Sequence, residues 1–560
     1  MLAVTKNFIC SGMVSLLLIA GGHVNAQTWQ WAKTGSLAPN TSAVASAVVA
    51  DASGNVYVTG NFDATSVTFG SVTLTNTSPP ASDIFLVKYS AAGAVLWAKS
   101  FGGTSYDEGN ALCVDKAGNI LLAGAFNSPN MSMGSYNLAG AGGDDFFIAK
   151  LDNAGTVLWA INGGGSGNDV ANGVCVDRRD NVCITGSFDS SIIPFSSGNI
   201  GNTSGSTTPL VVKYDSTGMT KWARAGRGNG GLHGNSGAAI SADTLSDLFI
   251  TGGFSYPELT FGTDSIPQNG ITNVFVLKYD SAGNVLWLKR AGGVNEDAGT
   301  GISADRFGNA YITGGFNSPT ILFGSNTLTN AGASDLFVVK YDKNGNVLWA
   351  SGSGGSGVEQ GTSICTDANG FAYVSGTFGS SSFSIGSTDL INAGVLNIFM
   401  AEYTWGGQAL WAKNVGGSAS DYGLSAFADV SGNAYIAGYF SSPAITFGST
   451  NLIYTGTANM YVAKISGITG IESLAPASST ISVYPNPAST SALFHMESDI
   501  KGDYKLMIYD QLGQVTRSIE KIQSQDFSLN CDGLASGIYF YVMKNDQEQA
   551  VGKGKLIIAR

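Results

Sequence analysis

Short apolar runs separated by Gly and by Asp or Asn recur along most of this chain, always in the same order. In one representative stretch the runs are Ala111 to Val114, Ile120 to Gly124, Phe146 to Leu151 and the segment around Trp159. Each has the length of a strand and is bounded by turn residues, so the pattern predicts four strands per unit. The fourth carries a tryptophan. Its copies stand at Trp31, Trp97, Trp159, Trp222, Trp287, Trp349 and Trp411, at intervals of 66, 62, 63, 65, 62 and 62 residues. In Val95-Leu96-Trp97-Ala98 the apolar residues are consecutive rather than alternating, which predicts a strand covered on both faces and sheets stacked on sheets. A buried Trp hides about 150–250 Å², so Trp97→Ala is expected to cost about 3–5 kcal/mol.

The tight turns have a mechanism. In Asp51-Ala52-Ser53-Gly54-Asn55 the carboxylate can accept a backbone N–H two residues on, and the glycine can take positive φ. The same turn recurs at Asp115, Asp177, Asp243, Asp305, Asp367 and Asp429. These aspartates are turn formers; the alternating oxygen ligands of a calcium loop are missing, and no metal or other cofactor is expected.

A period of this size overrides any domain count by length. The last repeat has strands near Leu424, at Asn433 to Tyr439 and at Met460 to Ile465, but no Trp strand follows. Gln27 to Lys33 is a Trp strand with no three strands before it. Joined, the two make one whole unit. The expected fold is all-β: a seven-bladed β-propeller over residues 27–466, closed by the N-terminal strand, which also removes open sheet edges. An open solenoid such as a parallel β-helix would not need a split repeat. Asp51 to Gly60, Phe323 to Ser325 and Asp335 to Asp342 resemble the SBBP β-propeller repeat, a family whose likeness implies a propeller and no shared reaction.

After Ile465 the period stops. Residues 467–480 look like a linker, and residues 481–560 carry short strands (Leu506 to Tyr509, Val515 to Ile519, Phe527 to Leu529, Ile538 to Met543, Leu556 to Ile558) that predict a small Ig-like β-sandwich. Tyr484-Pro485-Asn486-Pro487, the Ile508 to Gly513 segment, Leu534 to Tyr539 with Gly537 between them, and Lys555 to Ile558 are together similar to the type A C-terminal sorting domain of type IX secretion. That resemblance implies the type IX machinery as a partner and passage across an outer membrane, with release or attachment at the surface. Residues 1–26, with Lys6, an apolar core from Val14 to Ala20 and Val24-Asn25-Ala26, have the form of a secretory signal. No later stretch is long and apolar enough to span a bilayer.

Charged residues are only 12% of the chain and the net charge is −12; with no Lys/Arg cluster along the sequence, nucleic acid is not an expected partner. Beyond the signal, Cys113, Cys175, Cys183, Cys365 and Cys531 form neither a CxxC nor an even set. Cys175 and Cys183 can face each other across a hairpin, and whether they pair is left open.

Eight residues before each turn Asp lies a polar position: Asp107, Asp169, Asn235, Asp297, Glu359 and Asp421, with Ala43 in the first unit. Placed in the Gly-rich loop between units, these six would ring one mouth of the channel. They either form a polarised face for a cation, a basic partner or a sugar, or cap backbone N–H groups of their own loops; the regular recurrence favours capping. Tyr106, Tyr256 and Tyr422 are candidate exposed aromatics for sugar stacking. Beyond the signal only His233 and His495 remain, so a Ser-His-Asp site has little to draw on. A paired-carboxylate polysaccharide-degrading enzyme is the alternative. The favoured expectation is a non-catalytic, monomeric extracellular binding, adhesion or scaffold module for an unidentified glycan or protein.

Overall fold

The computed structural model describes residues 27–228, 235–368, 370–466, 481–496, 502–510, 515–546 and 550–559. The expected signal segment, the linker, His233 and Gly513 lie outside these residues. The chain divides into a large unit, Ala26–Ile468, and a smaller one beyond it.

Among the described residues the large unit holds seven four-stranded antiparallel sheets. In the second of these the strands are Asp107–Val114, Ile120–Phe126, Asp145–Leu151 and Val157–Gly163, paired in that order. The first strand thus begins four residues earlier than its apolar run, at the acidic position itself. The excursions between second and third strands carry small hairpins, such as Asn130–Met133 with Tyr136–Ala139, that the sequence pattern did not predict. In the seventh sheet Trp29–Thr34 pairs antiparallel with Asn459–Ile465, next to Ala434–Phe440 and Asp421–Ala428. First strands of neighbouring sheets are tied side by side: Asn110 Nδ2 donates to the Ala171 carbonyl at 3.2 Å, Thr300 Oγ1 to Gly361 at 2.6 Å, and the Val48 N–H to Ser425 Oγ at 3.2 Å.

The core lies in the middle of each sheet. Third strands such as Asp83–Tyr89 and Asp335–Tyr341 are buried throughout, and their Val, Ile and Phe side chains pack on both neighbouring sheets. Within each sheet a second-strand glycine accommodates the first-strand bulge: a Cβ on Gly314 would sit 2.0 Å from the Ala298 carbonyl oxygen of the paired strand.

The Trp strands correct the expectation that they are covered on both faces. They are edge strands, and their leucines alternate outward, with Leu96 51% and Leu348 53% exposed. The indoles face the next sheet. Trp31, Trp222, Trp287 and Trp411 are buried, whereas Trp97, Trp159 and Trp349 are only partly covered. The doubly covered strands are the second and third ones, whose runs carry no tryptophan to mark them.

The smaller unit has a three-stranded sheet, Ile481–Tyr484, Ser491–Met496 and Asp526–Asn530, and a four-stranded sheet of Val515–Ile522, Tyr504–Tyr509, Gly537–Lys544 and Ala550–Ile558. Phe494, Leu506, Met543 and Leu556 fill its core.

Candidate functional site

The turn aspartates are consumed by the fold. Asp177 Oδ1 accepts the N–H groups of Arg179 and Asn181, while Oδ2 accepts Asn181 Nδ2 and pairs at 2.8 Å with Lys213 from the third strand. Burial alone would raise this carboxyl, but the Lys213 ammonium and the hydrogen bonds hold it below the usual carboxylate range. Asp115 and Lys150 repeat the arrangement at 2.8 Å.

The six recurring polar residues do not ring an open mouth. All are buried, and each of the five acids opens a first strand rather than lying in the loop before it. Asp107 Oδ2 accepts Gly103 N–H and Ser128 Oγ, both at 2.8 Å. Asp169 takes Gly165 N–H and Ser190 Oγ, Asp297 takes Gly293 N–H and Ser318 Oγ, and Asp421 takes Gly417 N–H and Ser442 Oγ, all between 2.6 and 2.8 Å. Glu359 accepts Gly355 N–H at 2.7 Å and Ser380 N–H at 2.9 Å, and Asn235 Oδ1 accepts Ser255 N–H at 2.6 Å. Burial pushes Asp107 up to about 6, against these bonds. The geometry is that of loop caps. The serine partner stands about twenty residues downstream, too far for a local motif to reveal.

The aromatic candidates separate. Tyr106 is 59% exposed, Tyr422 stacks on Tyr439 at 4.6 Å, and Tyr256 is fully buried, its hydroxyl donating to the Thr207 carbonyl at 2.7 Å. Cys175 and Cys183 are register partners, and both thiols are free. Among the described residues no three metal-ligating side chains converge.

Two concave surfaces stand out among the described residues. One, of about 670 Å³, lies between the third and fourth sheets and is lined by Asn202, Ser204, Arg227, Glu258 and Thr260. The other, of about 380 Å³, lies where the first turns of the second to fifth sheets meet, at the opposite end of the first strands from the capped acids. Lys116, Arg178, Thr244 and Arg306, each directly after a turn Asp, border it. The sequence shows no basic cluster because these residues are scattered one per repeat; the repeat itself gathers them.

In the smaller unit Tyr484, Pro485, Asn486 and Pro487 are exposed. Asn486 clamps the last strand: its Nδ2 donates to the Lys555 carbonyl and its Oδ1 accepts the Ile557 N–H, both at 2.8 Å. Leu534 is buried, and the buried Tyr539 hydroxyl donates to the Ala535 carbonyl at 3.1 Å beside Gly537.

Residues 482–559 match the family of secretion system C-terminal sorting domains. The chain is 26% identical over 479 residues to a WD repeat-containing protein of Acanthamoeba polyphaga mimivirus, covering 68% of this chain and 33% of that protein. It is 25% identical over 179 residues to the regulatory protein FlaEY of Caulobacter vibrioides, covering 29% of this chain and 19% of that one. The chain therefore spans a third or less of the length of these relatives. Among solved structures, PorZ, a surface component of the type IX secretion system of Porphyromonas gingivalis, aligns over 94% of this chain and 100% of its own at 10% identity; the TM-score of 0.14 is too low to carry an argument. The repeated four-stranded sheets of residues 27–466 are thus followed by a domain of the secretion sorting family.

Proposed function

We propose that this chain is a seven-bladed propeller, shut by Trp29–Thr34, that is exported through its C-terminal domain and serves outside the cell as a non-catalytic binding or scaffold module. The observation that carries the closed reading is the tryptophan relay. Trp97 Nε1 in the first sheet donates to the Asn153 carbonyl of the second at 3.2 Å, and Trp349 in the fifth to Trp405 of the sixth at 3.0 Å. Trp31, in the seventh sheet, donates to Ala91 of the first at 3.0 Å, as it would if the first sheet were its next neighbour in a ring. The binding reading is supported by the fate of the carboxylates: the recurring acids are spent on turns and caps.

The export half of the proposal is tested by deleting residues 481–560 in the native host; the repeat unit should then stay inside the cell envelope, and finding it outside would refute the sorting role. The binding half is tested by screening the exported chain on a glycan array and for polysaccharide hydrolysis. Binding without turnover is expected. Turnover would replace the module by a polysaccharide-degrading enzyme.

A further inference from the structure

The turn-lined concave surface gathers three basic side chains, Lys116, Arg178 and Arg306. Each turn Asp beneath it is matched by a third-strand lysine: Asp115 by Lys150 and Asp177 by Lys213, both at 2.8 Å, Asp243 by Lys278 and Asp305 by Lys340, both at 3.6 Å. Asp247 adds a second carboxylate to Lys278 at 3.0 Å, so that layer has no surplus of positive charge. The rim above it has one. Arg178 donates Nη1 to the Thr244 carbonyl at 3.4 Å, and Lys116 donates to the Arg178 carbonyl, so these heads lie along the rim on neutral acceptors. Lys116 has Asp180 only at 3.9 Å; Arg178 and Arg306 have no carboxylate within ion-pair distance among the described residues. On the same turns Phe307 is 57% exposed with the Arg306 guanidinium 4.8 Å from its ring centre, and Leu245 is 72% exposed.

We propose that this rim binds an anionic sugar, a ring bearing a carboxylate or sulfate, with Lys116, Arg178 and Arg306 taking the charge and Phe307 offering a face to the ring. The proposal rests on the reading of this unit as a binding module and names its ligand class. Guanidinium forks suit carboxylate and sulfate oxygens, and a cavity of about 380 Å³ suits a small ligand or a chain end. A long polyanion is disfavoured, because the chain as a whole carries −12.

The test is calorimetric titration of the exported full chain with glucuronate, glucose 6-sulfate and glucose. The expected result is binding of one or both anionic sugars, weakening as salt rises, with glucose at least tenfold weaker. The two anionic sugars separate carboxylate from sulfate as the charge that is read. The triple variant K116Q/R178Q/R306Q should lose at least tenfold in affinity while keeping its melting temperature, since all three side chains are exposed. Arg178→Glu alone should do the same by reversing the charge. Absence of binding to both anionic sugars, equal binding of glucose, or affinity unchanged in both variants would overturn the proposal. A glycan-array hit that survives the triple variant would sink this site and leave the binding module standing.

Discussion

Glu402 accepts the indole N–H of Trp411. In the other sheets the corresponding third-strand position is lysine, and Lys213 and Lys340 donate to turn carbonyls of the next sheet, at Ser281 and Trp405. Trp222 and Trp349 use the same carbonyls. The seventh sheet has no such turn, because its fourth strand comes from the other end of the chain. Among the described residues Trp411 has no such carbonyl to reach, and the one glutamate in the lysine column supplies the acceptor.

That glutamate makes stability depend on pH in an unusual direction. Burial pushes its carboxyl from 4.5 up to about 7, against the hydrogen bonds from Trp411 and Tyr373 and with help from the Asp367 charge. Between these pH values the folded chain holds the proton more tightly than the unfolded one, so the contribution is complete below pH 4.5 and is lost as pH rises to 7. At about 1.4 kcal/mol per pH unit the upper bound is about 3 kcal/mol. Asp107 and Asp145, both pushed up to about 6 by burial, act in the same sense. The melting temperature should be higher at pH 5 than at pH 8, and Glu402→Gln should remove about half of that difference while keeping an acceptor for the indole. A wild-type profile that rises toward pH 8 would contradict this.

Asp297→Ala should destabilise by about 2–4 kcal/mol, because it strips the acceptor from the Gly293 N–H and from both the N–H and hydroxyl of buried Ser318. Asp297→Asn, which keeps one acceptor oxygen, should cost less than half as much. Urea denaturation reads both. Neither variant should alter ligand affinity, which is how a cap differs from a ligand contact.

The tryptophans should not be equivalent. Trp31, 8% exposed and within ring contact of Tyr89 and Tyr435, should cost about 3–5 kcal/mol on substitution by Ala. Trp97 is only partly covered, so Trp97→Ala should fall below that range. Thermal melts of the two variants side by side give the comparison.

In the tail, Asn486→Ala removes both bonds that fasten the last strand to the Tyr484 to Pro487 segment. Export of the chain should drop several-fold by immunoblot of the medium and cell surface, while Asn486→Asp, which keeps only the acceptor, should fall between. Equal export of all three would separate the motif from the sorting step.

Much of the strand order was legible because turn chemistry is local: Asp115, Gly118 and Asn119 declare a hairpin within five residues, and the structure builds one there, with Asn119 N–H on Asp115 Oδ1 at 2.8 Å. The split repeat was legible because Trp31 and Ile465 are each half of a pattern seen intact elsewhere. Burial was not. Asp107 reads as a loop acid because its partner Ser128 sits in the bend beyond the next strand, and Leu96 reads as core because a consecutive apolar run does not say which strand is at the edge. The basic rim was missed for the opposite reason. Lys116, Arg178 and Arg306 look solitary in one dimension, and only the repeat period, applied to the residue after each turn Asp, would have aligned them.

The pairing of Thr34 with the strand that holds Met460 spans 426 residues. Loop closure over such a span is entropically costly and slow to be rewarded. The seventh sheet is therefore the last to be assembled during synthesis, and until the final repeat has emerged the amino-terminal strand has nowhere to dock. A chain cut short before the Asn459–Ile465 strand would leave Trp29–Thr34 unpaired and uncover the apolar face that the first sheet packs on the seventh, so truncated products should aggregate rather than persist as smaller working copies.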